Sequence, residues 1–407
     1  MHSNLLELTN CNVIDIESGK TNSGASVLID GPHIKEVLTD GGGKSVTTGN
    51  VIDMRDSFLL PGLFNCHTHL SLPFPHTPRN PQESEASVSL RCFKRAMDVL
   101  LGGVTTVRTV GEVYRCDIAL RDAINSKILT GPRIVAGGRG IRTSFGQSSP
   151  TDIAVQADGA ENCQKAARSE ISLGAQHLKI FATGGLGAKG EDPENQQMTK
   201  EEMQAVASVC KSRNTYVTAH CGGSSVAIDA VEAGVTCLEH GYVLNNEAVE
   251  KLAKVKGYLD PTLCVTRSEE WYRWYGFEEP LIEKALAYHS RHVQSLKNAV
   301  SAGVKIVLGT DIPPGDENEG TNATIREVEY LCKDGSLPEI EALKAATVNS
   351  ATLCGLQNQT GLIREGYFAD IIAVAENPLS DIRNLRKVVF VMKEGDVVRN
   401  DLKKKLA

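Results

Sequence analysis

Between about residues 58 and 355 short apolar runs alternate with segments of helical periodicity, and nothing else in this 407-residue chain limits its fold as sharply. The runs are 58–64, Val104–Val110, Arg133–Ala136, His177–Ala182, Thr215–Ala219, Thr236–Leu238, Tyr258–Leu263 and Lys305–Leu308. Among the segments between them, 84–101 places Phe93, Met97 and Leu100 on one helical face, and 199–213 opens with the capping box Thr199-x-x-Glu202. Eight strand–helix units in about 300 residues match a (β/α)8 TIM barrel. An open doubly wound sheet produces the same alternation, so only the placement of polar residues separates the two.

The ends of the chain have a different texture. Residues 1–57 carry short alternating runs, Leu5–Leu8, Val13–Ile16, Ala25–Ile29 and His33–Leu38, broken by turn residues, and the pattern returns in Ala369–Val374 and Lys387–Met392. This predicts a small composite β-sandwich domain formed by both termini, 1–57 and 359–407, beside an α/β barrel domain over 58–358.

Several apolar runs end in a residue able to bind metal. The first leads into His67 and His69, whose i, i+2 spacing puts both imidazoles on one face of an extended strand. Lys179 lies in the fourth run, His220 follows the fifth, His240 the sixth and Asp311 the eighth. A barrel brings the C-terminal ends of all its strands to one mouth, where such residues meet. Imidazoles and a carboxylate suit zinc, and catalytic sites keep one position open for water. Lys179 is the odd member, because a free amine with a pKa of about 10.4 is a cation. A carbamate formed with CO2 would make it an anion with two oxygens.

The other histidines, His2, His33, His76, His177, His289 and His292, fall elsewhere, and His177 reads as a structural residue deeper in the strand. Cys66 and Cys221 neighbour metal-type histidines, but strand alternation turns them to the opposite face, as packing residues. Gly185-Leu-Gly187-Ala-Lys-Gly190 fits G-x-G-x-x-G, yet the loop residues 191–195 follow it instead of a helix, so a pyrophosphate would lack a helix N-terminus. Those glycines are expected to let the fourth loop approach substrate.

A net charge of −7 without any basic block argues against nucleic acid and anionic membrane as partners. Eleven cysteines without a C-x-x-C pair argue against a disulfide framework and for the cytoplasm. The first residues do not read as a signal peptide, and no stretch nears the ~18 apolar residues of a membrane span.

Taken together, these residues resemble the amidohydrolase superfamily over essentially the full length, and within it the binuclear type that includes dihydroorotase, imidazolonepropionase-like proteins and the Xaa-Pro dipeptidase (prolidase-like) group. His67-Thr68-His69 matches the family's first-strand pair, Lys179 in His-Leu-Lys-Ile-Phe the bridging lysine, and His220 in Val-Thr-Ala-His-Cys the fifth-strand ligand. His240 in Leu-Glu-His-Gly-Tyr matches the sixth-strand ligand and Asp311 in Leu-Gly-Thr-Asp-Ile the eighth-strand aspartate; the stretch from Gly361 to Asp370 resembles the return strand of the composite sandwich.

The resemblance implies two divalent ions, usually zinc, with His67, His69 and Asp311 on one, His220 and His240 on the other, and carbamylated Lys179 between them. It implies that a metal-bridging hydroxide cleaves a C–N amide bond of a small molecule: a dipeptide, an N-acyl amino acid or a cyclic amide. Asp311 would carry the proton to the leaving amine. Tyr242 sits where related dipeptidases place a tyrosine near substrate, and Arg142 and Arg267 are candidates to clamp a carboxylate. Prolidase-like relatives carry Thr-Gly-Gly-His-Gly after the third strand, whereas this chain has Arg142-Thr143-Ser144-Phe145-Gly146, a departure that counts against a dipeptide.

Deaminases of the superfamily commonly use one metal, lack the bridging lysine and place a glutamate three residues after the fifth-strand histidine. Gly223 stands there, which favours amide hydrolysis over deamination. Scaffold relatives have lost ligands, and the complete set of six argues against that reading. Relatives often form homo-oligomers.

Overall fold

Pro61-Gly62 divides the first apolar run between two sheets. In the computed structural model, Phe58–Pro61 pairs with Ile371–Val374 antiparallel and with Leu5–Ile14 in parallel, while Leu63–Thr68 enters a separate sheet. Any side chain at Gly62 would collide with Thr105, so the chain crosses there only as glycine. The structure describes residues 5–39, 50–73, 83–147, 151–187, 190–312, 315–316 and 321–402; the first four residues, His76, Ala188 and Lys189 lie outside them.

By internal contacts the chain divides into two compact units, one of Met1–Asn65, Met97–Thr106 and Gly315–Ala407 and one of Cys66–Ala96 and Val107–Pro314. The first contains an eight-stranded sheet to which both ends of the chain contribute, since Val388–Lys393 and Asp396–Asn400 extend it on one side and Thr21–Asp30 and His33–Leu38 on the other. Alternate residues of these strands, Cys11 and Val13, Val27 and Ile29, Ile371 and Ala373, meet in one apolar core. That is the period-two burial expected of a sheet with one covered face.

The barrel strands are β1 (Leu63–Thr68), β2 (Val104–Thr109), β3 (Arg133–Val135), β4 (Leu178–Phe181), β5 (Val217–Gly223), β6 (Cys237–Val243), β7 (Tyr258–Asp260) and β8 (Lys305–Ile306). β4 to β8 pair consecutively and in parallel, and β1, β2 and β3 form a second run. Hydrogen bonds join the two runs at both ends: Gln176 N–H donates to the Ala136 carbonyl at 2.8 Å, and Cys66 N–H to the Leu308 carbonyl at 2.6 Å. The polar residues had pointed to a barrel over an open sheet, and a (β/α)8 barrel is the fold observed.

Helices α1 (Glu85–Leu101), α2 (Cys116–Asn125), α3 (Ala160–Ser172), α4 (Lys200–Ser212), α5 (Ser224–Ala233) and α6 (Asn246–Lys254) follow the first six strands; α7 (Glu269–Trp274), α8 (Glu279–Ala287) and α9 (His289–Ser301) all lie between β7 and β8. Thr199 and Glu202 form the expected capping box on α4. The buried stripe of α1 differs in part from the expected one: Leu100 is buried as expected, together with Val88, Cys92, Ala96 and Val99, while Phe93 and Met97 are only half-buried. Helical spacing allows two adjacent stripes, and the one with the smaller side chains packs inward. Among the described residues no helix is long and apolar enough to cross a membrane.

Candidate active site

Left-handed backbone conformations mark the ends of the barrel strands. His240, Thr262 and Asp311 have φ of +69°, +47° and +56°, values that are rare outside glycine and costly for a β-branched threonine. His240, just inside β6, is followed by Gly241 at φ +62°, which turns the strand sharply at its functional residue. Asp311 is tied back to β1, because the N–H groups of Thr310 and Asp311 both donate to the His67 carbonyl, at 3.0 and 2.9 Å.

His67, His69, Lys179, His220, His240 and Asp311 line one cavity. Asp311 Oδ1 stands 3.2 Å from His67 Nε2 and 3.3 Å from His69 Nε2. Ligand atoms of these three residues lie within 4.8 Å of one another, a spacing that suits a single ion. The rings of His220 and His240 are centred 4.5 Å apart, and His240 is 4.9 Å from His67. Lys179 is 1% exposed, and among the described residues its amine has no hydrogen-bond partner; the same holds for His240 Nε2. Buried polar atoms are rarely left so, and two in one cavity beside three further imidazoles and a carboxylate fit a site built to hold divalent metal.

Electrostatics agree with that fit. Burial drives the pKa of His220 down to about 3 and that of His240 well below the ordinary imidazole value, leaving neutral rings with lone pairs to offer. Burial also lowers the Lys179 amine, against the opposing pull of Glu239 and Asp311. For Asp311 burial acts upward, but the neighbouring His67 and His69 hold the carboxyl well below its usual range.

The imidazoles are aimed by partners that patterning alone does not reveal. His67 Nδ1 is 2.7 Å from Glu239, a fully buried carboxylate that also accepts from Arg108 at 2.7 Å and from the Thr218 hydroxyl. His69 Nδ1 bonds the Gly111 carbonyl at 2.8 Å, His220 Nε2 the Gly184 carbonyl at 3.0 Å, and His240 Nδ1 the Thr262 hydroxyl at 2.7 Å. Glu112 accepts the N–H groups of Leu70 and Ser71, fixing the turn immediately after His69. A carboxylate or carbonyl on the far nitrogen sets the tautomer and direction of a ligating ring.

Of the remaining candidates, Tyr242 reaches the site. It is 1% exposed and stacks on His240 with ring centres 5.1 Å apart, and burial keeps its phenol protonated far above the ordinary range. Arg142, at the end of the short strand Gly140–Arg142, and Arg267, after the helical turn Leu263–Thr266, line neither this cavity nor the larger one beside it. Cys66 and Cys221 are buried and outside both. His177 is buried with its Nε2 3.0 Å from the Thr109 carbonyl. His292, set aside in the sequence, bonds the His240 carbonyl at 3.0 Å and so supports the β6 turn.

A barrel with four imidazoles, a carboxylate and a buried lysine gathered at its strand ends defines the class of metal-dependent hydrolases. The model of the amidohydrolase family matches residues 58–398, and the chain belongs to that family, as a hydrolase acting on carbon–nitrogen bonds. It is 30% identical to ochratoxinase of Aspergillus niger over 379 residues, 84% of this chain and 75% of the relative. The crystal structure of a prolidase complexed with N-methylphosphonate-L-proline superposes with a TM-score of 0.89 at 26% identity, covering 97% of this chain and all of that one. That of a Xaa-Pro dipeptidase with methionine bound in its active site superposes at 0.87 with 29% identity, covering 97% and 100%.

Proposed function

We propose that this protein is a binuclear, zinc-dependent amidohydrolase that cleaves the C–N amide bond of a small molecule, an N-acyl amino acid, dipeptide or cyclic amide. One observation carries the reading: six donor residues on or just after five barrel strands line a single cavity, around a buried lysine amine that has no hydrogen-bond partner among the described residues. In this reading His67, His69 and Asp311 would hold one ion and His220 and His240 the other, and a carbamate on Lys179 would supply a further anionic donor. Bound ions would acidify water and polarise the amide carbonyl.

The protein's own groups do the rest. Asp311 is ionised and partly open to the cavity, so its carboxylate takes the proton of the attacking water and delivers it to the leaving nitrogen. Tyr242 keeps its proton and is fixed by its stack on His240, so its hydroxyl donates to the carbonyl oxygen as negative charge develops there. Glu239 holds His67 in one orientation throughout.

Metal analysis of the purified protein combined with an amine-release assay on N-acyl amino acids and dipeptides tests the reading. Up to two zinc ions per chain and hydrolysis that is lost to a chelator and restored by zinc are expected. A protein that binds no metal and releases no amine would overturn it.

A further inference from the structure

We propose that the larger cavity beside the candidate active site receives an uncharged aromatic substituent of the substrate, so that the enzyme prefers carboxamides bearing a phenyl-sized ring on one side of the scissile bond. The inference rests on the amide-hydrolase reading and narrows its substrate class.

This cavity shares Gln147, His220 and Asp311 with the metal-type cavity, so a bond held at Asp311 has one flank inside it. Its wall is built by Trp271 and Tyr272 of α7, Leu281 and Ala285 of α8, Phe277 between the two helices, and Val265. The rings stand edge to face, Trp271 to Tyr272 at 5.2 Å and Tyr272 to Phe277 at 5.0 Å between centres. The Tyr272 hydroxyl is committed to the Val265 carbonyl at 2.5 Å, so this residue offers the cavity a ring and no free donor. Among the described residues that line it there is no lysine or arginine, and Asp311 carries the one carboxylate. Away from the edge it shares with the metal-type cavity, a negatively charged group therefore finds no cationic side chain in this lining, whereas a ring finds aromatic edges and aliphatic surface. α7 and α8 belong to the run of helices between β7 and β8, and they supply Trp271, Tyr272, Leu281 and Ala285 to this wall.

Both tryptophans of the chain, Trp271 and Trp274, lie on α7, which provides a readout independent of turnover. In Trp274→Phe the remaining indole reports on the cavity. Two measurements are combined: titration of this variant with phenylacetamide and with acetamide, followed by tryptophan emission, and kcat/KM for zinc-loaded enzyme on N-benzoylglycine against N-acetylglycine and on N-acetyl-L-phenylalanine against N-acetyl-L-alanine.

A saturable emission change with phenylacetamide and none with acetamide is expected. In one of the two pairs the ring-bearing member should be favoured by about tenfold or more. Ala285→Phe, which fills the cavity, should abolish both effects. Leu281→Gln, at a half-buried position that tolerates an amide, should weaken both if Ala285→Phe does not fold. Equal rates within both pairs together with an indifferent Trp271 overturn the inference and leave the hydrolase reading standing. A saturating response to phenylacetamide without hydrolysis of any amide supports the ring site and overturns the hydrolase reading.

Discussion

His67 and Asp311, the first and last of the six clustered residues in the chain, touch twice: the His67 carbonyl accepts the Asp311 N–H at 2.9 Å, and the His67 Nε2 lies 3.2 Å from Asp311 Oδ1. The backbone bond belongs to the junction of β8 with β1, so closing the barrel and assembling the site are the same event. A chain that failed to bring its eighth strand beside its first would separate the histidine pair from its carboxylate.

Asp311→Asn keeps the shape of the side chain and removes its capacity to accept a proton. We expect kcat on a responsive amide to fall by about 10²–10⁴-fold. Metal content measured on the same sample separates lost proton transfer from lost metal. An unchanged kcat with both ions in place would remove Asp311 from the proton path.

Glu239→Gln acts from behind the site. The amide leaves the guanidinium of Arg108 buried with only Asp260, 3.5 Å away, as a counter-charge, and it frees the His67 ring to rotate. Loss of one partner of a buried ion pair costs about 3 kcal/mol or more. Metal affinity should fall about 10–100-fold through the misdirected ring. Urea unfolding of the metal-free protein and a zinc titration read the two effects separately; normal stability and normal affinity together would show that Glu239 is dispensable.

The histidine pair was legible because i, i+2 spacing is itself a geometric statement about a strand, and His220, His240 and Asp311 because each closes an apolar run. Glu239 and Arg108 were not, since Arg108 sits inside an apolar run and looks like an interruption of it, while Glu239 falls between the sixth run and His240. Their mutual signal was present all the same: a carboxylate and a guanidinium in two buried strands each require an opposite charge. The division of the first run at Gly62 escaped notice because the hydrophobic pattern continues across it, while the reason for the break, contact with Thr105, lies far along the chain. On α1 periodicity placed Leu100 inward but not Phe93 and Met97, as packing partners choose between Cys92 and Phe93.

Gly309→Ala tests how closely β8 must approach β1. A methyl group there would stand 2.6 Å from the His67 backbone nitrogen and would press on the Asp260 carboxylate. Backbone cannot yield as a flexible side chain can, so destabilisation of about 1–3 kcal/mol is expected together with weakened metal binding. Thermal unfolding with and without zinc measures both. Wild-type behaviour in the two experiments would mean that the junction is looser than these distances indicate.

Lys179→Met separates the cost of the lysine from its use. The amine is buried without a hydrogen-bond partner among the described residues, an arrangement that costs about 1–3 kcal/mol when no metal is bound. Methionine has similar length and no polar atom to desolvate, so the metal-free variant should melt at a higher temperature than the wild type. With zinc the order should reverse. Wild-type protein gains about 2.7 kcal/mol at a zinc concentration 100 times its Kd, because the ion binds only the folded state. The variant has no nitrogen on which a carbamate can form, and most of that gain should vanish. Opposite signs in the two melting curves cannot come from a lysine that merely fills space, since such a residue would leave the zinc-induced shift intact. A shift of wild-type size in Lys179→Met would remove the carbamate from the site, and a lower melting temperature without metal would mean that the amine has a stabilising partner after all.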